Sequence, residues 1–157
     1  GVPLLCAGGV GSPAGFARAL ALGYEGVQMG TRFIATVECD SHDDYKQAIL
    51  RAGEDDIVLT ERITGVPLAV IRTPYVEKIG TKAGPLGRLL LKGRTTKHWM
   101  RAWYSVRSFR RLRAAIRSGG STKDAWQAGK SVGEIDSVLP VAELMKAFAS
   151  AYRERVP

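Results

Sequence analysis

Apolar positions open the chain as a short run, Leu4-Leu5-Cys6-Ala7, closed by Gly8-Gly9-Val10-Gly11. A run of that length bounded by glycine predicts a buried parallel strand followed by a tight turn. Ser12 is placed to cap a helix, and Pro13 fits its first turn, where the missing N–H is not needed. Phe16, Ala17, Ala19, Leu20, Ala21 and Leu22 carry this helix to Gly23, a good residue just past a helix end. A second strand, Glu25-Gly26-Val27-Gln28-Met29, runs into Gly30-Thr31-Arg32. Strand, turn, helix and strand within about 30 residues make a βαβ unit with a right-handed crossover. Both glycine turns then lie at one carboxyl edge of the sheet, on neighbouring strands.

Farther along, Ser41 is the expected cap of another helix, with Asp44 at the capping-box position and Tyr45, Ala48, Ile49 and Ala52 on its apolar side. Ile57-Val58-Leu59-Thr60 and Val66-Pro67-Leu68-Ala69-Val70-Ile71 look extended, and Pro67 assigns the second to an edge or irregular strand. The two form a small excursion outside the main sheet. Tyr75 to Gly93 is irregular, with only short helical pieces. Trp99, Trp103, Val106, Phe109, Leu112 and Ile116 recur at steps of three or four, which predicts a long amphipathic helix from about Lys97 to Arg117. Ser121 or Thr122 caps a short helix through Trp126. Pro140 opens a final amphipathic helix carrying Val141, Leu144, Met145, Phe148 and Tyr152.

Composition narrows the class. With 157 residues, 45% hydrophobic and 24% charged, the chain is neither disordered nor fibrous. Its net charge of +8 is local: Lys78 to Lys123 holds 13 Lys/Arg and no acid, against ten basic and fifteen acidic residues elsewhere, net −5. No apolar run approaches the ~18 residues of a membrane helix. Cys6 and Cys39 make no disulfide framework, which suits a reducing cytoplasm, so the expected localisation is cytoplasmic. The chain begins at Gly1 and enters a strand almost at once, so the expectation is the carboxy-terminal part of a longer protein.

The chemistry is sought at the two turns. Glycines after a strand let a ligand approach the main chain, and N–H groups at a helix start favour an anion such as phosphate. In a (β/α)₈ barrel a phosphate site is often built from the loops after strands seven and eight. Gly8-Gly9 and Gly30-Thr31 have the order and spacing for it, and Gln28 adds a side-chain amide. Either turn alone reads more simply as a tight turn. Gly8-Gly9 is not a G-x-G-x-x-G fingerprint, because Gly11 is followed by Ser12, Pro13 and Ala14.

Cys6-Ala7-Gly8-Gly9-Val10, followed by the run from Ala19 through Gln28-Met29-Gly30-Thr31-Arg32 to Phe33, resembles the carboxy-terminal barrel segment of the nitronate monooxygenase family. FMN-dependent enoyl-acyl-carrier-protein reductases belong to the same wider group. The resemblance is strong over residues 1 to about 65 and weaker through the basic middle. It implies an α/β fold, the last strands of an FMN-binding (β/α)₈ TIM barrel, with residues 1–56 as barrel segment and 57–157 as a mainly helical extension. It further implies that Gly9, Gln28, Met29, Gly30 and Thr31 hold the cofactor, mainly near its phosphate, with Gly8 a neighbouring candidate. Trp126-Gln127-Ala128-Gly129-Lys130-Ser131 resembles the family's Ala-Gly-Gln segment, but Lys130 stands where Gln is usual, and its role stays open.

The family's catalytic histidine lies in a Gly-Gly-His motif, which this sequence does not contain. His42 reads as a solvated first-turn residue and His98 as a surface or stacking residue, so neither is assigned as catalytic. Asp43-Asp44 and Glu54-Asp55-Asp56 read as helix-end and loop charges rather than metal ligands. The aromatics of the basic helix, interleaved with Arg101, Arg107, Arg110, Arg111, Arg113 and Arg117, would suit nucleic acid. They occupy the apolar stripe, however, which favours packing against the domain and arginines on a wet face.

The implied activity is oxidation of an alkyl nitronate, or of its parent nitroalkane, by O₂ to a carbonyl product and nitrite. The alternatives are an FMN-dependent enoyl-thioester reductase and, from another class, a basic nucleic-acid-binding module. Expected partners are the small substrate, O₂ and the upstream part of the same protein, with no membrane. The isolated chain, with two barrel strands and open edges, is expected to be unstable, aggregated or dependent on missing residues.

Overall fold

In the computed structural model, residues 1–63, 66–82 and 125–154 are described. The chain divides into two compact units, Gly1–Asp55 with Ala128–Pro157, and Asp56–Gln127. The long basic helix expected over residues 97–117, His98 and the start of the short helix expected through Trp126 lie outside the described residues; Ala125 and Trp126 themselves are not helical, and the Trp126 carbonyl accepts from the Ile71 N–H at 2.9 Å.

The first unit is built on the βαβ crossover. β1 (Leu5–Ala7) pairs in parallel with β2 (Gly26–Gln28), in the register Leu5 to Gly26, Cys6 to Val27 and Ala7 to Gln28. Between them runs α1 (Pro13–Ala21), with Pro13 in its first turn and the Ser12 hydroxyl accepting from the Gly15 N–H at 3.0 Å. Gly23, at φ +91°, turns the chain toward β2. The strand is less buried than its apolar run predicts: Leu4 is 61% and Leu5 65% exposed. Alternation accounts for Leu5, which points to the side of the sheet opposite Cys6, the residue of this strand that packs against the core; Leu4 precedes the strand.

A short α2 (Thr31–Ile34) follows β2, and α3 (Asp43–Arg51) follows after a loop. The cap of α3 is His42, whose Nδ1 accepts from the Asp44 N–H at 3.2 Å, not Ser41. Ser41 instead accepts from the Cys39 thiol at 3.2 Å. Asp43 and Asp44 fall in the first turn of α3, where the helix dipole favours negative charge. Tyr45 and Ile49, four apart, are buried as the pattern requires.

Residues 128–154, which the sequence reading placed in the extension, return to the first unit. They contain a 3-10 turn (Lys130–Glu134) and α5 (Val141–Arg153). Thr36 bridges Leu139, the Val37 N–H donates to the Leu139 carbonyl at 3.2 Å, and the Glu38 carboxylate accepts from the Val141 N–H at the start of α5. α5 then packs on α1, with Val10, Ala19, Leu144 and Phe148 buried together and the Phe16 and Phe148 rings edge-on at 5.6 Å. The buried stripe of α5 is narrower than expected, because Met145 and Tyr152 remain 49% and 46% exposed.

In the second unit, β3 (Ile57–Thr60) and β4 (Leu68–Ile71) form an antiparallel pair separate from β1 and β2. β4 begins just after Pro67, which has no N–H for the ladder. α4 (Pro74–Ile79) is capped by the Thr73 hydroxyl, and Val76 is buried with Val70 and Ala125.

Candidate functional site

The carboxyl edge of the parallel pair carries both glycine turns. The Gly8 N–H donates to the Gln28 carbonyl at 3.1 Å, which extends the ladder one step past Ala7 and ties the first turn to the end of β2. Gly8 and Gly9 have φ of +85° and +75°, a region that a side chain makes costly. A Cβ at Gly8, Gly9 or Gly30 would meet nothing within 4 Å, so the backbone at all three is open to a ligand. Gln28 is exposed at the same edge.

The remaining candidates have inward roles. Met29 packs against the cluster of Val10, Ala19, Leu144 and Phe148. Thr31 is buried, and its Oγ1 accepts from the Gly129 N–H at 3.0 Å. That bond draws the segment after Ala128 onto the second turn and leaves the exposed Lys130 as the next residue along. Arg32 is also buried. Its guanidinium donates to the Ala35 carbonyl at 3.1 Å and the Ser137 carbonyl at 2.8 Å. Burial lowers the Arg32 pKa from its ordinary value, with Asp136 opposing.

The start of α1 is not the open anion site that its sequence suggests. Glu134 fills it: one carboxylate oxygen accepts from the Gly11 N–H at 2.9 Å, the Ser12 N–H at 3.1 Å and the Ser12 hydroxyl at 3.0 Å. Its other oxygen pairs with Arg18. Burial pushes the Glu134 carboxyl up, but the Gly11 N–H, the Ser12 hydroxyl, Arg18 and the Ser12 N–H outweigh it, and the net pKa is lowered. Gly11 and Gly15 provide the room. A Cβ on Gly11 would stand 2.5 Å from the Ser131 carbonyl oxygen, and one on Gly15 would collide with the Glu134 carboxylate.

Sequence reasoning missed Glu134 because it lies 116 to 123 residues from its partners. Its only local signal was an acidic residue in an otherwise apolar and small run, Ser131-Val132-Gly133-Glu134-Ile135. The second unit holds a cleft of about 460 Å³ lined by Val58, Arg72, Val76, Glu77, Gly80 and Thr81, none of them a candidate from the sequence. Among the described residues, no helix is long and apolar enough to cross a membrane.

A parallel βαβ unit with two open glycine turns at one carboxyl edge defines an α/β architecture. Comparison with known proteins supplies the family: the nitronate monooxygenase model matches residues 1–150, and the chain belongs to that family. A relative in Mycobacterium tuberculosis, (3aS,4S,5R,7aS)-5-hydroxy-7a-methyl-1-oxo-octahydro-1H-indene-4-carboxyl-CoA dehydrogenase, is 29% identical over 94% of this chain and 49% of its own length. A probable nitronate monooxygenase of Staphylococcus saprophyticus is 38% identical over 50% of this chain and 22% of its own length. Among solved structures, FabK from Thermotoga maritima matches with a TM-score of 0.72 and 33% identity, over 99% of this chain and 46% of that one. Nitroalkane oxidase from Streptomyces ansochromogenes shares the fold, with a TM-score of 0.71 and 22% identity over 98% of this chain and 40% of that one. The chain thus spans about half or less of each of these proteins, and its named relatives are oxidoreductases.

Proposed function

We propose that this chain forms the phosphate-side part of the flavin site in an FMN-dependent oxidoreductase, built as the last strands of a (β/α)₈ barrel. The observation that carries the reading is the open pair of turns, Gly8-Gly9 and Gly30, held side by side by the Gly8 to Gln28 hydrogen bond. A phosphate approaching these turns meets main chain rather than side chains. The barrel reading draws support from the family match and from FabK, 46% of whose chain this sequence covers.

Gly8, Gly9 and Gly30 would admit the phosphate end of FMN to the backbone, while Gln28 supplies a neutral amide at the same edge. Thr31 and Met29 act from below: Thr31 secures the strap after Ala128, and Met29 ties the second turn to the core. Lys130 is an exposed point charge next to that anchor. When bound, the flavin supplies the redox chemistry, taking an electron pair from substrate and delivering it to an acceptor.

The proposed reaction is oxidation of an alkyl nitronate by O₂ to a carbonyl product and nitrite. A second reading, reduction or oxidation of a thioester substrate, is favoured by a specific observation: the relative covering 94% of this chain is named for a carboxyl-CoA substrate. Nitrite release from an alkyl nitronate by the whole natural protein supports the first reading. Turnover of an enoyl thioester with a nicotinamide cofactor, without nitrite release from nitronates, supports the second.

A further inference from the structure

One short segment touches both glycine turns. At its start the Gly129 N–H donates to Thr31 Oγ1, beside Gly30, and at its end Glu134 accepts from Gly11 and Ser12, two and three residues beyond Gly9. Between these anchors lie only the residues of the 3-10 turn, with Ser131 and Val132 buried. The strap is therefore short and anchored at both ends, and the two turns it reaches follow neighbouring strands.

We infer that Glu134 is a positioning residue for the cofactor's phosphate end, acting through the Gly8–Ser12 loop. This inference rests on the proposed flavin site. Three features of the geometry carry it. Glu134 takes up the N–H groups at the start of α1, so those donors are removed from competition for the ligand. Its charge is balanced by Arg18, which limits the repulsion that a bare carboxylate would exert on a phosphate nearby. Its grip also sets where the Gly8-Gly9 turn leaves the strand, because Val10 is buried and Gly11 sits so near Ser131 and Ile135 that even a Cβ there would collide with them.

A carboxylate that only stabilised the fold would affect all flavins alike. One that positions the phosphate turn affects FMN and spares riboflavin, which lacks the phosphate. The experiment measures binding of FMN and of riboflavin to the whole natural protein, stripped of flavin, and to its Glu134→Gln variant. The expected result is FMN affinity weakened about tenfold in the variant, with riboflavin affinity changed less than about twofold. Equal weakening of both flavins, or unchanged FMN binding by a folded variant, overturns the inference while leaving the flavin site standing. Failure of the unaltered protein to bind either flavin overturns both. Should Glu134→Gln fail to fold, Arg18→Met decides: Arg18 is largely exposed, its loss leaves Glu134 unbalanced, and FMN affinity is expected to fall severalfold with riboflavin unaffected. Unchanged FMN binding in that variant counts against the inference.

Discussion

Gly129 donates its backbone N–H to the buried Thr31 hydroxyl oxygen at 3.0 Å, joining residues 98 positions apart at the second glycine turn. A family-like segment near the carboxy terminus thereby reaches the Gly30-Thr31 turn. The same bond gives Thr31 a defined task, as an acceptor inside the protein.

Replacing Thr31 with valine keeps the shape and removes the acceptor. The Gly129 N–H is then left without its partner, at a cost of about 1–3 kcal/mol. Chemical denaturation is expected to show that loss, and Thr31→Ser, which retains the hydroxyl, to recover most of it. Equal stability of the valine variant and the unaltered protein would remove the strap's first anchor.

The acid stability of the protein is expected to carry a Glu134 signature. Its folded pKa lies below the ordinary glutamate value, so the unfolded state binds the proton more readily. The stabilisation is therefore fully present above the ordinary value and is lost as pH falls through the depressed folded value. The stability gap between the unaltered protein and Glu134→Gln should be widest near neutral pH, at roughly 2 kcal/mol, and should close in acid. A gap that does not change with pH would be inconsistent with an ionised, hydrogen-bonded Glu134.

Two glycines near the first turn should respond differently. Gly9→Ala meets no neighbour and costs only the strain of positive φ, about 1–2 kcal/mol, while obstructing the face proposed for the phosphate. Gly11→Ala drives a methyl against the Ser131 carbonyl at 2.5 Å, where backbone must move, and is expected to destabilise more. Melting temperature and FMN affinity measured together separate the two. The account expects Gly9→Ala to lose more FMN affinity relative to its loss of stability than Gly11→Ala.

Much of this was legible in the sequence because it is local. The order Leu5–Ala7, Gly8-Gly9, Pro13–Ala21, Gly26–Gln28 encodes the crossover through spacing, and the glycines mark the turns. The Ile57–Thr60 and Leu68–Ile71 pair could be read in the same way, including its separation from the main sheet. The position of Glu134 was not legible, because nothing local says that a carboxylate near the carboxy terminus will fill the start of α1. The exposure of Leu4 and Leu5 was hidden for a related reason: a continuous apolar run signals burial on both faces, whereas burial depends on which layers cover the strand. The His42 cap escaped notice because serine is the commoner capping residue and Ser41 stood beside it.

The central claim is that the two glycine turns receive a phosphate-bearing flavin. Its most direct test is titration of the flavin-stripped whole natural protein with FMN and with riboflavin, followed by flavin fluorescence. The account predicts saturable FMN binding, one per chain, at least about tenfold tighter than riboflavin binding. Equal affinity for the two, or no FMN binding at all, would contradict it.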